Sequence, residues 1–90
     1  MVEQTVTVKN RAGVHTRPAA MIVKLAAQFK SDISFIGENS MRINAKSIIG
    51  VMTLAAAQGT DLHIITNGAD ETDALSKMVA LFDSGFGEPL

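Results

Sequence analysis

The chain has 90 residues, 47% of them hydrophobic, with eight basic and nine acidic side chains giving a net charge of −1. That length fits one globular domain burying roughly 60–65% of its unfolded surface, and the near balance of charge offers no field for nucleic acid, for which base stacking would fall to four phenylalanines. The lack of cysteine excludes disulfides and thiolate metal sites, and the run from Ala19 to Val23 is far below the roughly 18 apolar residues that span a bilayer.

Thr5 to Val8 alternates at period two, which predicts a first strand with Val6 and Val8 turned inward. From Thr16 to about Gln28, Ile22, Leu25, Ala26 and Phe29 recur at helical spacing. Ile33 to Ile36 and Met41 to Ala45 read as short strands flanking the turn residues Gly37 to Ser40. Ser47 suits the N-cap of a short helix carrying Ile48, Val51, Met52 and Ala55, which Gln58-Gly59 then stops. Leu62 and Ile64 alternate in a fourth strand, and Asn67-Gly68 turns the chain. Asp70 suits the cap of a last helix in which Leu75, Met78, Val79 and Phe82 repeat the helical period. The order βαββαβα favours an α+β domain, an antiparallel sheet with helices on one face. A ferredoxin-like βαββαβ unit with an extra terminal helix is the competing arrangement.

The chemistry concentrates in Gly13-Val14-His15-Thr16-Arg17-Pro18-Ala19-Ala20. Pro18 lacks an N–H and has a fixed helical φ, so it marks a first helical turn and leaves His15 just outside it. The unpaired amides of Thr16 and Arg17 and the positive end of the helix then form an anion site. Arg17 adds a fork of donors matched to phosphate oxygens, although a cation there is otherwise mildly disfavoured. A neutral imidazole is a nucleophile at physiological pH, so this geometry suits a phosphoryl group held on His15. Taken alone, the four-residue string is short enough to arise by chance on any helix start.

A second stretch changes that balance. His15-Thr16-Arg17-Pro18-Ala19-Ala20 resembles the active-site stretch of the HPr family, histidine phosphocarriers of the bacterial phosphoenolpyruvate-dependent phosphotransferase system. Lys46-Ser47-Ile48-Ile49-Gly50-Val51-Met52 is similar to the family's second signature. Gln58-Gly59 and Gly68-Ala69-Asp70-Glu71 fall where the family turns before its last strand and starts its last helix, so the resemblance covers residues 2 to about 83. It implies an open-faced β-sandwich of four antiparallel strands with three helices on one face. It also implies a stoichiometric carrier rather than an enzyme, with no cofactor and no metal. His15 Nδ1 would accept phosphorus from Enzyme I and pass it to IIA domains, with Thr16 and Arg17 holding the phosphoryl oxygens. Ser47 would be the target of HPr kinase/phosphorylase where that enzyme exists. A regulatory, nitrogen-type branch of the same system is the alternative setting. The family further implies an exposed apolar contact surface, here Ala20, Met21 and Lys24 with Ile48, Ile49 and Met52.

We therefore expect one domain over residues 1–90, monomeric and cytoplasmic, with no membrane insertion and no secretory signal in residues 1–5. Gly85, Gly87 and Pro89 predict an end to the last helix and a loose tail over 85–90. His63, out of phase with Leu62 and Ile64, reads as structural or solvated, and a shared metal site with His15 has no supporting ligand motif. Two other function classes fit parts of the sequence: a metabolite-binding regulatory domain, which leaves His15 to Pro18 without a purpose, and an interaction module, which makes His15 dispensable.

Overall fold

A computed structural model describes residues 1–54 and 56–90; the place expected for Ala55 on the short helix lies outside them. The order is β1 (Val2–Thr7), α1 (Thr16–Ala26), β2 (Asp32–Ile36), β3 (Arg42–Asn44), α2 (Ile48–Thr53), β4 (Asp61–Asn67) and α3 (Glu71–Asp83), followed by a short 3₁₀ turn, Gly85–Gly87. All strand pairs are antiparallel, in the order β1-β4-β2-β3. Periodicity alone did not fix this order. It places the last strand in the middle, where Ile64 has strand partners on both sides, Gln4 and Phe35, and Leu62 lies across from Val6.

Register sets the two faces of the sheet, because successive side chains point to opposite sides. Val6 lies across from Leu62, and Phe35 across from Ile64 and Ile43, so one face is continuously apolar. Helical spacing on α1 (Ala19, Ile22, Ala26) and α3 (Ala74, Met78, Phe82) supplies the facing layer, and Val51 joins it from α2. The helices are therefore all on one side, as expected. The other face carries Glu3, Thr5, Thr7, Asp61 and His63. There His63 Nε2 lies 2.8 Å from the Glu3 carboxylate and Nδ1 lies 3.0 Å from Thr5 Oγ1. An ionised carboxylate only accepts, so Nε2 carries the hydrogen and Nδ1 accepts from the threonine hydroxyl. His63 is a cross-strand tie, in agreement with the structural reading.

Several boundaries differ from expectation. β1 begins at Val2, because Val2 to Gln4 pair with Ile64 to Thr66, although the polar Gln4 breaks the alternation that sequence reading relies on. Helix α1 stops at Ala26, yet Phe29 stays buried in the turn that follows. Ser47 caps α2 as expected, its Oγ accepting the Gly50 amide at 3.1 Å. Asp70 stands at the N-cap of α3 but caps nothing on that helix. Its carboxylate instead accepts the Lys30 and Ser31 amides, each at 2.9 Å, and the Ser31 hydroxyl, which ties α3 to the start of β2.

The Ser31 hydroxyl first, and then the Lys30 amide, lower the Asp70 pKa from 3.8 to about 2. A carboxyl whose folded pKa is depressed stabilises the fold above its unfolded pKa and loses that contribution as pH falls through the folded value. Asp70→Ala should therefore be less stable than the parent at pH 6, and the gap should narrow as pH drops from about 4 to about 2. Urea unfolding across that range checks it; a gap independent of pH would contradict the role of the charge.

Candidate functional site

His15 is the N-cap residue of α1, with extended backbone (φ −104°, ψ −163°) and a half-exposed ring. Its carbonyl accepts the Ala19 amide at 2.9 Å and opens the helix. Pro18 has no amide to offer, and among the described residues the Thr16 and Arg17 amides have no acceptor. Two free N–H groups thus stand at the positive end of an 11-residue helix, directly after the histidine.

The preceding turn is locked from behind. Gly13 has φ +73°, and a Cβ there would come within 2.5 Å of the Ala56 carbonyl oxygen. Val14 donates its amide to that same oxygen at 2.8 Å. Only glycine combines this left-handed conformation with so close a backbone approach. The position of the histidine thus depends on the segment after α2.

The tail is where the structure departs most from expectation. The loose end expected for 85–90 is instead packed onto the site. Gly85, Phe86 and Gly87 all have positive φ, so the glycines expected to release the chain turn it sharply back. Phe86 is fully buried, with its ring centroid 5.0 Å from that of Phe82. Left-handed backbone costs a side-chain-bearing residue about 1–2 kcal/mol, and full burial of a phenylalanine contributes about 1.5–3 kcal/mol in return. Pro89 accepts the Arg11 amide at 2.8 Å.

This turn delivers Glu88, which the sequence reading did not single out. Its carboxylate oxygens lie 2.9 and 3.0 Å from His15 Nε2. Oε2 also accepts from Arg17 Nη1 at 3.1 Å, and Oε1 accepts from Asn10 Nδ2 at 2.9 Å. The hydrogen bond to His15 is the main cause that lowers the Glu88 pKa; those from Asn10 and Arg17 add to it, and partial burial opposes them. No local signal betrays this residue, since its partners lie more than 70 positions away.

The Arg17 guanidinium donates to the Phe86 carbonyl and to Glu88, the same carboxylate that meets the His15 ring. Thr16 is exposed beside it. Ala20 and Lys24 are exposed on α1, Met21 is half-buried, and Ile48, Ile49 and Met52 are all exposed on α2, which packs against α1. Ile49, 78% exposed, is an apolar side chain with no core role. Ser47 stands at the start of the same helix. No three His, Asp or Glu side chains among the described residues converge on a metal position, and no described helix is long and apolar enough to cross a membrane.

An imidazole at a helix mouth, an arginine two residues on and a second capped helix beside it stand together on an open-faced sandwich. Residues 2–84 match the family described as "PTS HPr component phosphorylation site". The chain is 50% identical over 88 residues to the phosphocarrier protein HPr of Treponema pallidum, covering 98% of this chain and 99% of that one. It is 36% identical to the phosphocarrier protein NPr of Proteus mirabilis, with 92% of each covered. The crystal structure of HPr-C-His from Thermoanaerobacter tengcongensis superposes with a TM-score of 0.93 at 42% identity over the whole of both chains. The chain belongs to the HPr family of phosphocarrier proteins, which carry phosphoryl groups and are not enzymes.

Gly13→Ala should lower the unfolding free energy by about 2 kcal/mol or more, from left-handed strain plus the collision with Ala56. Denaturant titration measures this; an unchanged midpoint would remove the argument that the turn is locked.

Proposed function

We propose that this chain accepts a phosphoryl group on His15 from phospho-Enzyme I and delivers it to IIA domains of the sugar phosphotransferase system. The observation that carries this reading is His15 at the N-cap of α1, with the Thr16 and Arg17 amides free and the Arg17 side chain on the same Glu88 carboxylate that meets the ring. In the transfer, a ring nitrogen of His15 attacks the donor's phosphorus in line, and the donor's P–N bond breaks. The two amides and Arg17 meet the oxygens as charge moves onto them. A helix terminus contributes about 0.3–1 kcal/mol for an exposed anion. That is enough to orient the group and too little to make the bond inert, as a carrier requires. Ala20, Met21 and Lys24 with Ile48, Ile49 and Met52 form the surface on which donor and acceptors dock.

The higher identity to the Treponema HPr than to the Proteus NPr favours the sugar branch over the regulatory, nitrogen-type one. Ser47 is proposed as a second, regulatory phosphorylation site. A phosphate there adds about −1.5 to −2 charges beside the apolar docking helix, at a helix start that tolerates an anion.

With Enzyme I, Mg²⁺ and phosphoenolpyruvate, the protein should gain one acid-labile phosphate, which His15→Ala should not. Arg17→Ala should slow charging about tenfold or more. Mass spectrometry at neutral and acid pH reads both, and a phosphate retained by His15→Ala would refute the assignment. Enzymatic phosphorylation of Ser47 should slow transfer by at least about tenfold while leaving the unfolding midpoint close to the parent's; an unaffected rate would rule out regulation at this position.

A further inference from the structure

The chain has no cysteine, so its five methionine thioethers are the groups that a peroxide oxidises most readily. The fold sorts them. Met78 of α3 is fully buried in the core, and Met21 of α1 is half-buried and packs against it. Met1 and Met41 are exposed, but they lie at the start of the chain and just before β3, on neither α1 nor α2. Met52, 41% exposed, is the one methionine that is both open to solvent and on a helix of the docking surface.

The setting of Met52 is apolar. Ile48 and Ile49 stand four and three residues before it on α2, the spacing that puts helical side chains on one face, and both are exposed. The helix from Ile48 to Thr53 contains no charged residue. A thioether there offers a partner a soft, polarisable contact, whereas a sulfoxide is polar and keeps its hydration. Val51 is the buried residue of α2, so a change at Met52 leaves the core untouched.

We propose that Met52 is an oxidation site that regulates the carrier: its sulfoxide weakens docking of the phosphoryl donor and acceptors and so slows transfer through His15. This rests on the carrier reading and on the docking surface of the preceding section. In the step, the Met52 sulfur attacks one oxygen of hydrogen peroxide, and the S–O bond forms as the O–O bond breaks. The second oxygen leaves as hydroxide and takes the proton of the first, so the products are the sulfoxide and water. Sulfur loses two electrons and peroxide gains them. A dithiol, acting through methionine sulfoxide reductases, returns two electrons and releases the added oxygen as water.

The test titrates the protein with hydrogen peroxide, maps each sulfoxide by mass spectrometry of peptides and measures charging by Enzyme I with Mg²⁺ and phosphoenolpyruvate. Met52 should oxidise well before Met78, and the charging rate should fall roughly five- to tenfold in step with the Met52 sulfoxide. The unfolding midpoint should stay near that of the untreated protein, and methionine sulfoxide reductases should restore the rate. Charging by phosphoramidate, a small donor that needs no docking surface, should not change. Each variant is compared with itself before and after peroxide: Met52→Leu should keep its own untreated rate, while Met41→Leu should lose rate as the parent does. An unchanged Enzyme I rate with Met52 fully oxidised, or a Met52→Leu protein that slows like the parent, overturns the proposal and leaves the carrier reading intact. An equal loss with phosphoramidate also overturns it, because the damage then lies at His15 rather than at the docking surface. An untreated parent that Enzyme I cannot charge removes the carrier reading and this proposal with it.

Discussion

An aromatic column ties the molecule together. Phe35 on β2, in the middle of the apolar sheet face, meets Phe82 of α3 edge-on with centroids 5.6 Å apart, and Phe82 meets Phe86 in the same way at 5.0 Å. Edge-to-face pairs are each worth about 0.5–1.5 kcal/mol beyond the area they bury. Three of the four phenylalanines are therefore spent on one line from sheet to helix to tail. The last of them helps to place what meets the His15 ring from the C-terminal side, because burial of Phe86 anchors the chain two residues before Glu88.

From the opposite side, the ring is held by backbone geometry rather than packing. Gly13 passes so close to the Ala56 carbonyl that a Cβ would not fit, and Val14 hydrogen-bonds to that carbonyl. His15 thus sits where three distant parts of the chain converge: the start of α1, the segment after α2 and the final turn. Here the ring is left half exposed, and its fixation comes from groups behind and beside it.

The elements were legible in the sequence wherever burial is one-sided and regular. Ile22 and Ala26 on α1, Met78 and Phe82 on α3, and Leu62 and Ile64 on β4 announce their period because each faces the same core. His15, Thr16, Arg17 and Ser47 were legible because helix starts have local rules: a fixed φ at Pro18, a hydroxyl cap at Ser47. Three things were not legible. The first three residues of β1 are strand only because β4 lies beside them, and Gln4 hides the alternation. Asp70 has the composition of a cap, but its carboxylate is drawn to Ser31 across the fold. Glu88 depends on a left-handed turn at a phenylalanine, a conformation that Gly85 and Gly87 permit without announcing.

The sheet face without helices has a practical consequence. Substitutions at surface positions of this sort usually change stability by no more than about 0.5 kcal/mol. Arg42 is exposed there, on the edge strand β3, and the chain has no cysteine of its own. A single thiol placed at that position gives one attachment point for a dye on the side away from α1, so the protein can be followed by fluorescence without altering the helical side of the sheet.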